Sequence, residues 1–304
     1  MHAKHFEFIG SDEKTLPAVI WQPEHVKAVL LVAHGTTEHM GRYEAFASAM
    51  AAFGVAVAGF DLRGHGRNAG DPDVAAFVPG DWQASVADLQ MFREHLHRVF
   101  SGVPLFVMGF SLGSFLVRDL VNTYPTDSIA GVVLMGTGYQ PGWLLSVMQG
   151  IVAGQIKKVG FGRPSPLVRK LSFGIYNDKF KPNRTDVDWL SASESAVDDY
   201  LADPLVRRQT SSGLFWELLG SMKRHCSPAE YARWDKNLPV FLISGGEDPV
   251  GNAGKGVTTV YRQMEKAGMK AVTLKLIPGA RHALLMSNAD GVETMIGEWI
   301  SALY

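Results

Sequence analysis

The feature that most constrains the fold is a series of apolar runs that alternate with segments of helical period. Several runs are rich in Val, Leu and Ile and lack polar alternation, which is typical of strands covered on both faces. Helical segments such as SVADLQMFREHLHRVF and TVYRQMEKAG lie between them. This order predicts a mostly parallel α/β sheet with helices on both faces. The runs occupy 28–35, 54–61, 104–111, 131–138, 238–245 and 272–279.

Two shorter runs and one long gap complete the predicted architecture. HFEFIG and AVIWQP flank a polar turn, which predicts an antiparallel edge hairpin and a sheet of about eight strands. About a hundred residues separate the fourth run from the fifth, too many for a loop in a compact domain. We therefore predict a helical cap inserted at 139–207 into a core domain formed by 1–138 and 208–304. SSGLFWELLGSMKRH is the helix that returns to the sheet.

Composition excludes several classes of protein. The 304-residue chain has a net charge of -1, so it has no overall basic field to attract nucleic acid. Cys226 is the single cysteine, which rules out an intrachain disulfide and fits the reducing cytoplasm. The N-terminal residues alternate polar and apolar and are not typical of a signal peptide. WLLSVMQGIVAG, at 143–154, is too short to cross a bilayer, which takes about 20 residues, but is compatible with peripheral lipid contact.

A serine between two glycines stands where the third run ends and a helical segment begins. In Gly109-Phe110-Ser111-Leu112-Gly113 the glycines relieve crowding at a sharp strand-to-helix turn, the nucleophile elbow. Such a turn exposes the serine hydroxyl above a helix N-terminus, where backbone N–H groups stabilise negative charge. The motif alone is equally compatible with an ordinary Gly/Ser turn, so Ser111 needs a base and an acid.

The candidate base is one of ten histidines. In an open α/β sheet, reactive groups come from loops at the carboxyl ends of strands, which leaves His34, His65 and His282. His34 precedes Gly35 and is better explained by the shape of that loop. His65 lies in a glycine-rich turn that we expect to be solvated. His282 follows the last run, in the chain order Ser, acid, His, and is therefore the predicted base.

The acid that orients this base is expected at the end of an intermediate strand. No carboxylate closely follows the fourth run, whereas Glu247 and Asp248 follow the fifth. Asp248 is preferred because its short side chain and the following Pro249 hold it rigidly in a turn. The predicted triad is Ser111, Asp248 and His282, with Glu247 as the alternative acid.

Two backbone N–H groups are the expected oxyanion donors. One belongs to Leu112, directly after the nucleophile, and the other to Thr36, on the loop that follows VAHG. The alternative for Thr36 is that its hydroxyl merely caps the loop. Neither donor role depends on the identity of the side chain.

Three motifs carry a family resemblance. HGTTEHMGRYEAFASAM resembles the H-G-x-x-E-H-x-G-R-Y stretch of monoacylglycerol lipases and related bacterial lysophospholipases of the α/β-hydrolase superfamily, and FDLRGHGRNAGD and GFSLG look like the same family's second strand-loop and elbow. The likeness covers roughly 24–300, and TDVDWLSASESAVDDYLADPL resembles the cap of bacterial members. The chain departs at Phe110, Ser114 and Ala283, where many relatives have histidine, glycine and glutamate.

The resemblance implies hydrolysis of single-chain acyl esters, of monoacylglycerol or lysophospholipid type, through an acyl-serine and without a cofactor. Phe110, Trp143 and Met148 are the residues predicted to contact the substrate. The alternatives are a small-molecule carboxylesterase of the same mechanism and a non-catalytic scaffold that binds a ligand. GHGRNAG and GNAGKGVTT lack the context of dinucleotide and phosphate loops. His2 and His5 fall in the edge strand, so no metal site is predicted.

Overall fold

The structure, a computed structural model, describes residues 1–286 and 291–304. These residues form strands β1 (His2–Ile9), β2 (Thr15–Gln22), β3 (Ala28–Ala33), β4 (Val55–Phe60), β5 (Val74–Ala75), β6 (Leu105–Phe110), β7 (Gly131–Met135), β8 (Gln209–Thr210), β9 (Val240–Gly245) and β10 (Val272–Ile277). They also form helices α1 (Glu44–Ala51), α2 (Asp81–Val99), α3 (Leu112–Thr123), α4 (Gly142–Val159), α5 (Pro166–Arg169), α6 (Ile175–Asp178), α7 (Glu194–Ala202), α8 (Ser212–Arg224), α9 (Pro228–Tyr231), α10 (Lys255–Lys266) and α11 (Val292–Ser301). Short 3-10 segments lie at Met40–Tyr43, Gly66–Asn68 and Leu284–Met286, and a π-helical turn at Lys170–Gly174.

Eight strands form one sheet in the order β1-β2-β4-β3-β6-β7-β9-β10. β2 pairs antiparallel with β1 and β4, and the other neighbours are parallel. The predicted mostly parallel sheet and its antiparallel edge hairpin are confirmed. Every residue of β3, β4, β6 and β9 is buried, which explains why these runs lack polar alternation. β10, at the other edge, alternates half-buried and exposed residues.

Helices cover both faces of the sheet. Along β3, Val29 and Leu31 belong to one hydrophobic core, with α2, α3 and α10, and Leu30 and Val32 belong to the other, with α1 and α11. This split follows from the period of two in a strand, which sends successive side chains to opposite faces. Complete burial of each such side chain contributes about 1.5–3 kcal/mol to folding. The two cores fix the strand ends rigidly, and with them the loops that carry the candidate site.

The segment 139–207 contains α4 to α7, and none of its residues joins the eight-stranded sheet. α4 packs against α8, which in turn contacts α3. The pairing of β5 with β8, which directly follows the segment, fixes the point where the chain returns to the core. That this segment is a separate cap domain stays a prediction. Among residues 1–286 and 291–304, every helix is too short or too polar to span a membrane.

Candidate active site

The strand-to-helix turn at Ser111 has the geometry predicted for the elbow. Ser111 joins β6 to α3 with φ 51° and ψ -115°, a left-handed backbone that costs a residue other than glycine about 1–3 kcal/mol. A Cβ on Gly109 would lie 2.3 Å from the Gly113 carbonyl oxygen, and one on Gly113 would lie 2.0 Å from the Ala33 oxygen. Both glycines are therefore required for the first turn of α3 to pack against the strands.

The three residues of the predicted triad lie in one hydrogen-bonded chain. His282 Nε2 is 2.9 Å from Ser111 Oγ, and His282 Nδ1 is 2.9 Å from Asp248 Oδ2. Because the carboxylate can only accept, Nδ1 carries the proton and Nε2 is left to accept from the serine hydroxyl. The imidazole is thereby held in the tautomer that a general base needs.

Asp248 is fixed by two further donors. The Ser244 hydroxyl donates to Asp248 Oδ2 at 3.1 Å, and the Val250 N–H donates to Oδ1 at 2.8 Å. The side chain is 0% exposed, so the carboxylate is shielded from solvent and faces His282. Glu247, the alternative acid, is exposed. The geometry therefore favours Asp248.

The ring of His282 packs against two aromatic rings. Phe110 and Trp189 each place a ring centroid 5.0 Å from its own. The backbone is held as well, since the Ala283 N–H donates to the Leu190 carbonyl at 2.8 Å. Trp189 and Leu190 come from the segment 139–207, so the candidate base packs against that segment. Sequence reasoning missed Trp189, although the stretch TDVDWL had been assigned to the cap.

The other two candidate histidines are buried, and their contacts stabilise the loops that contain them. The Nδ1–H of His34 donates to the Gly35 carbonyl at 2.8 Å, and Nε2 accepts from the Leu62 N–H at 2.9 Å. Burial lowers the pKa of His34 to about 3. The expectation that His65 is solvated was wrong, because its ring is 0% exposed and packs against His34 and Phe77. Burial, together with His34, lowers the pKa of His65 to about 3.

The two predicted oxyanion donors lie on the expected elements. Thr36 follows β3, and Leu112 is the first residue of α3. Among the described residues, neither N–H has a hydrogen-bond acceptor, and the Thr36 hydroxyl forms no capping bond. Both N–H groups are thus free to bind a negatively charged oxygen, and their role stays a prediction.

A buried glutamate braces the loop that carries Thr36. Glu38 Oε1 accepts from the Gly35 N–H at 2.6 Å and from the Tyr43 hydroxyl at 2.7 Å. Burial and the Glu38 carboxylate raise the pKa of Tyr43 well above its ordinary value, so its hydroxyl remains a donor. Glu38 and Tyr43 belong to the HGTTEHMGRY motif, and the motif alone did not predict this bracing role.

The same loop is bonded to the segment 139–207. Thr37, whose φ is 69°, accepts at its carbonyl from the Arg207 N–H at 2.8 Å. Its Oγ1 lies 2.6 Å from Tyr200 Oη. Two residues further along, His39 Nε2 lies 2.9 Å from Asp203 Oδ2. Burial is the largest single influence on Asp203 and opposes its ionisation, but the hydrogen bonds from His39 and the Leu205 N–H, together with nearby positive charge, lower the pKa of the carboxyl overall. None of these contacts was predicted.

Ser111 and His282 open into a cavity of about 380 Å³. Phe110 lines it, as predicted from its place beside the serine. Most of the other apolar lining comes from the cap segment: Phe173, Val187, Trp189, Leu190, Leu201 and Val206. A cavity of this size and character is typical of a small-molecule or acyl-chain site.

Trp143 and Met148 do not line this cavity, contrary to expectation. α4 turns Leu145 and Val152 inward, and both are 1% exposed, whereas Trp143 lies on the outer side and is 71% exposed. The helix is apolar on most of its surface, so its sequence did not reveal which residues face the interior. Among the described residues, no cluster of three or more His, Cys, Asp or Glu side chains is placed to hold a metal ion.

Comparisons with known proteins show which family and fold the chain resembles. Residues 24–288 match the family model described as serine aminopeptidase S33. The chain is 28% identical over 298 residues to the monoglyceride lipase of Mus musculus, covering 96% of this chain and 89% of that protein. It is 27% identical over 279 residues to the monoacylglycerol lipase of Mycolicibacterium smegmatis, covering 86% and 84%. A carboxyl esterase structure from Bacillus coagulans shares the fold with a TM-score of 0.89, at 24% identity and with 100% and 99% covered.

Proposed function

The chain belongs to the hydrolase family described as serine aminopeptidase S33, and we propose that it cleaves carboxylic esters of single-chain acyl lipids through an acyl-serine intermediate. Its lipase and esterase relatives make it a carboxylic ester hydrolase of the monoacylglycerol-lipase type, and confirm the resemblance seen in its motifs. The observation that carries the serine mechanism is the hydrogen-bonded chain from Ser111 through His282 to Asp248.

In the first step, His282 Nε2 takes the proton of the Ser111 hydroxyl while Oγ attacks the ester carbonyl carbon. The carbonyl oxygen becomes negatively charged and is bound by the N–H groups of Thr36 and Leu112. The tetrahedral intermediate then collapses, the bond to the leaving alcohol breaks, and His282 returns the proton to the alkoxide. The products are an acyl-Ser111 ester and a free alcohol.

In the second step, a water molecule replaces the serine as nucleophile. His282 Nε2 takes its proton, hydroxide attacks the acyl carbon, and the second tetrahedral intermediate releases the carboxylic acid. The proton returns to Ser111 Oγ, which restores the enzyme. Asp248 stays ionised throughout and stabilises the imidazolium that forms twice in the cycle.

The apolar lining of the cavity supports an acyl chain as its occupant. Burial of each methylene contributes about 0.8 kcal/mol, or roughly fourfold in specificity, until the cavity is full. Medium or long chains are therefore preferred over acetyl, and triacylglycerols are poor substrates because three chains do not fit one cavity. The exposed Trp143 and Val147 of α4 support peripheral contact of the 139–207 cap with the lipid surface that delivers the substrate.

The test is a chain-length series of p-nitrophenyl and glycerol esters, with wild-type protein and Ser111→Ala. We expect kcat/KM to rise from acetyl to at least octanoyl, and Ser111→Ala to lose both turnover and labelling by a fluorophosphonate while its unfolding midpoint is kept. Comparable turnover in Ser111→Ala would exclude the acyl-serine mechanism. A profile that peaks at acetyl would instead identify a small-molecule carboxylesterase, and a wild-type protein that resists the label would identify a ligand-binding scaffold.

A further inference from the structure

A second cavity, of about 550 Å³, lies directly beside the catalytic cavity. The two share six lining residues and are therefore contiguous: Arg169, Phe173, Asp186, Val187, Arg208 and Gln209. Their walls differ in character. The catalytic cavity is mostly apolar beside the serine, whereas the second combines charged groups, amides and hydroxyls with the apolar side chains of Pro164, Pro166, Phe173, Val187 and Phe215. We call the second one the outer cavity.

Both carboxylates of the outer cavity are already paired with cations. Asp186 accepts from Arg169 Nη2 at 2.7 Å, and Asp178 lies 2.9 Å from the ammonium group of Lys181. Although these pairs are exposed and contribute little to stability, they cancel the negative charge of the lining. The net charge of the outer cavity is therefore set by its remaining cations.

Three further cations line the outer cavity. Arg184 is paired with Asp198 at 2.7 Å. For Lys170 and Arg208, no carboxylate oxygen lies within 4.0 Å in the described part of the chain. Arg208 makes one bond, from Nη2 to the Leu201 carbonyl at 3.1 Å, which leaves most of its five N–H donors available. Two uncompensated positive charges thus line the cavity, in a protein whose net charge is -1.

We propose that Lys170 and Arg208 bind a phosphate group on the alcohol side of the ester, so that the substrate is an acylglycerol phosphate rather than a neutral acylglycerol. This inference rests on the proposed function, since it takes Ser111 as the nucleophile and the apolar cavity as the acyl site. The acyl chain then occupies the apolar cavity, and the headgroup extends past Arg208, which lines both cavities.

Phosphate suits this site better than other anions for two reasons. A guanidinium presents parallel N–H donors that match two phosphate oxygens, and an ammonium adds a mobile point charge. Further donors for the remaining oxygens lie around the cations. The Asn177 and Asn183 amides each have one N–H bound to a backbone carbonyl and a second one left, and the Gln209 amide and the Thr210 hydroxyl line the same cavity. The site therefore has the donors for a phosphate monoester, whereas a neutral glycerol headgroup leaves both charges unmatched.

The experiment compares octanoylglycerol phosphate with octanoylglycerol, both below their aggregation concentrations, for wild-type protein, Arg208→Gln and Lys170→Gln. We expect wild-type kcat/KM to favour the phosphate ester by about tenfold at low salt, because charge-assisted bonds at a partly exposed site are worth about 1.4 kcal/mol. Each variant should lower the ratio of the two kcat/KM values by about threefold, because the two cations share the tenfold preference, and Arg208→Lys should keep part of the preference that Arg208→Gln loses. Rising salt should lower the ratio as well.

Arg262→Gln, an exposed arginine of α10, is the matched control because it removes the same charge away from both cavities. It should leave the ratio unchanged. The inference is overturned if wild-type protein does not prefer the phosphate ester, or if Arg208→Gln and Arg262→Gln give the same ratio. The proposed function fails by a different result, namely turnover of both esters by Ser111→Ala.

Discussion

Replacing Tyr200 by phenylalanine removes one oxygen atom from the contact between α7 and the loop that carries Thr36. In the folded protein Tyr200 Oη lies 2.6 Å from Thr37 Oγ1, and the two residues are 7% and 8% exposed. The Thr37 hydroxyl also donates to the Thr36 carbonyl. The Tyr200 hydroxyl is therefore linked through the Thr37 hydroxyl to the carbonyl of Thr36, the residue whose N–H is a predicted oxyanion donor.

The expected loss follows from the worth of one buried neutral hydrogen bond. Such a bond contributes about 1 kcal/mol net. If this is lost wholly from the transition state, kcat falls about fivefold, well short of the 10²–10³ expected for loss of an entire oxyanion donor. KM should change by less than about twofold, because the ground-state carbonyl gains little from the donor. Tyr200→Phe should therefore give a kcat defect of about fivefold.

The assay is steady-state hydrolysis of a soluble octanoyl ester, together with inhibition by an alkyl boronic acid, whose serine adduct carries an oxygen in the oxyanion position. The inhibition constant should rise by the same factor as kcat falls. Tyr231→Phe is the matched control, because it removes an equally buried tyrosine hydroxyl that is hydrogen-bonded to Arg118. Its unfolding midpoint should fall with kcat unchanged.

Unchanged kcat and unchanged boronic acid affinity in Tyr200→Phe would refute this prediction, since the loop that carries Thr36 would then need no support from α7. Equal kcat losses in Tyr200→Phe and Tyr231→Phe would also refute it, because the effect would then be one of general stability. A Thr37→Val, Tyr200→Phe pair that multiplies the two single losses would show that the hydroxyls act independently.

Three further predictions concern the triad, the elbow and acid stability. Asp248→Asn should lower kcat on the order of 10⁴-fold, whereas Glu247→Gln should stay near wild type in steady-state kinetics; the reverse would identify Glu247 as the acid. Gly113→Ala should lower the free energy of unfolding in urea by about 3 kcal/mol or more, because its Cβ meets a backbone oxygen 2.0 Å away, and a wild-type midpoint would contradict this. The pKa values of His34 and His65 are lowered to about 3 in the folded state, so the unfolded chain binds more protons below its pKa of about 6.5. The free energy of unfolding should fall from pH 7 toward pH 4 by up to about 1.4 kcal/mol per pH unit for each histidine, and urea titrations that give a flat profile would exclude this.

Much of the sheet and the geometry of the triad could be predicted because they depend on local signals. The apolar runs mark buried strands, and Ser111, Asp248 and His282 each follow such a run, so the rule that strand ends share one edge brings them together. The Gly-x-Ser-x-Gly spacing is also a local signal in the sequence. Gly109 avoids a clash within the turn, with the Gly113 carbonyl, whereas Gly113 avoids one with Ala33 of the neighbouring strand β3.

The contacts between the cap and the site could not be predicted in this way. Trp189 packs on His282 and Tyr200 bonds to Thr37 only because a turn and a helix that are distant in sequence pack against the core. α4 carries apolar residues on most of its surface, so periodicity could not tell its inner side from the outer side where Trp143 lies. The glycine-rich turn around His65 was predicted to be exposed because its sequence is typical of a surface loop. Its burial comes from other parts of the chain that pack over it, which the local sequence does not show.

The aromatic contacts of His282 have a consequence for protein engineering. Phe110 belongs to β6 and Trp189 to the segment 139–207, and the imidazole packs against both rings. A chimera that exchanges 139–207 for the equivalent segment of a relative would replace one half of the support of the general base as well as the walls of the binding cavity. Grafting a new cap to alter substrate choice should therefore also change the intrinsic reactivity of the serine, unless the donor segment supplies an aromatic ring at the place of Trp189.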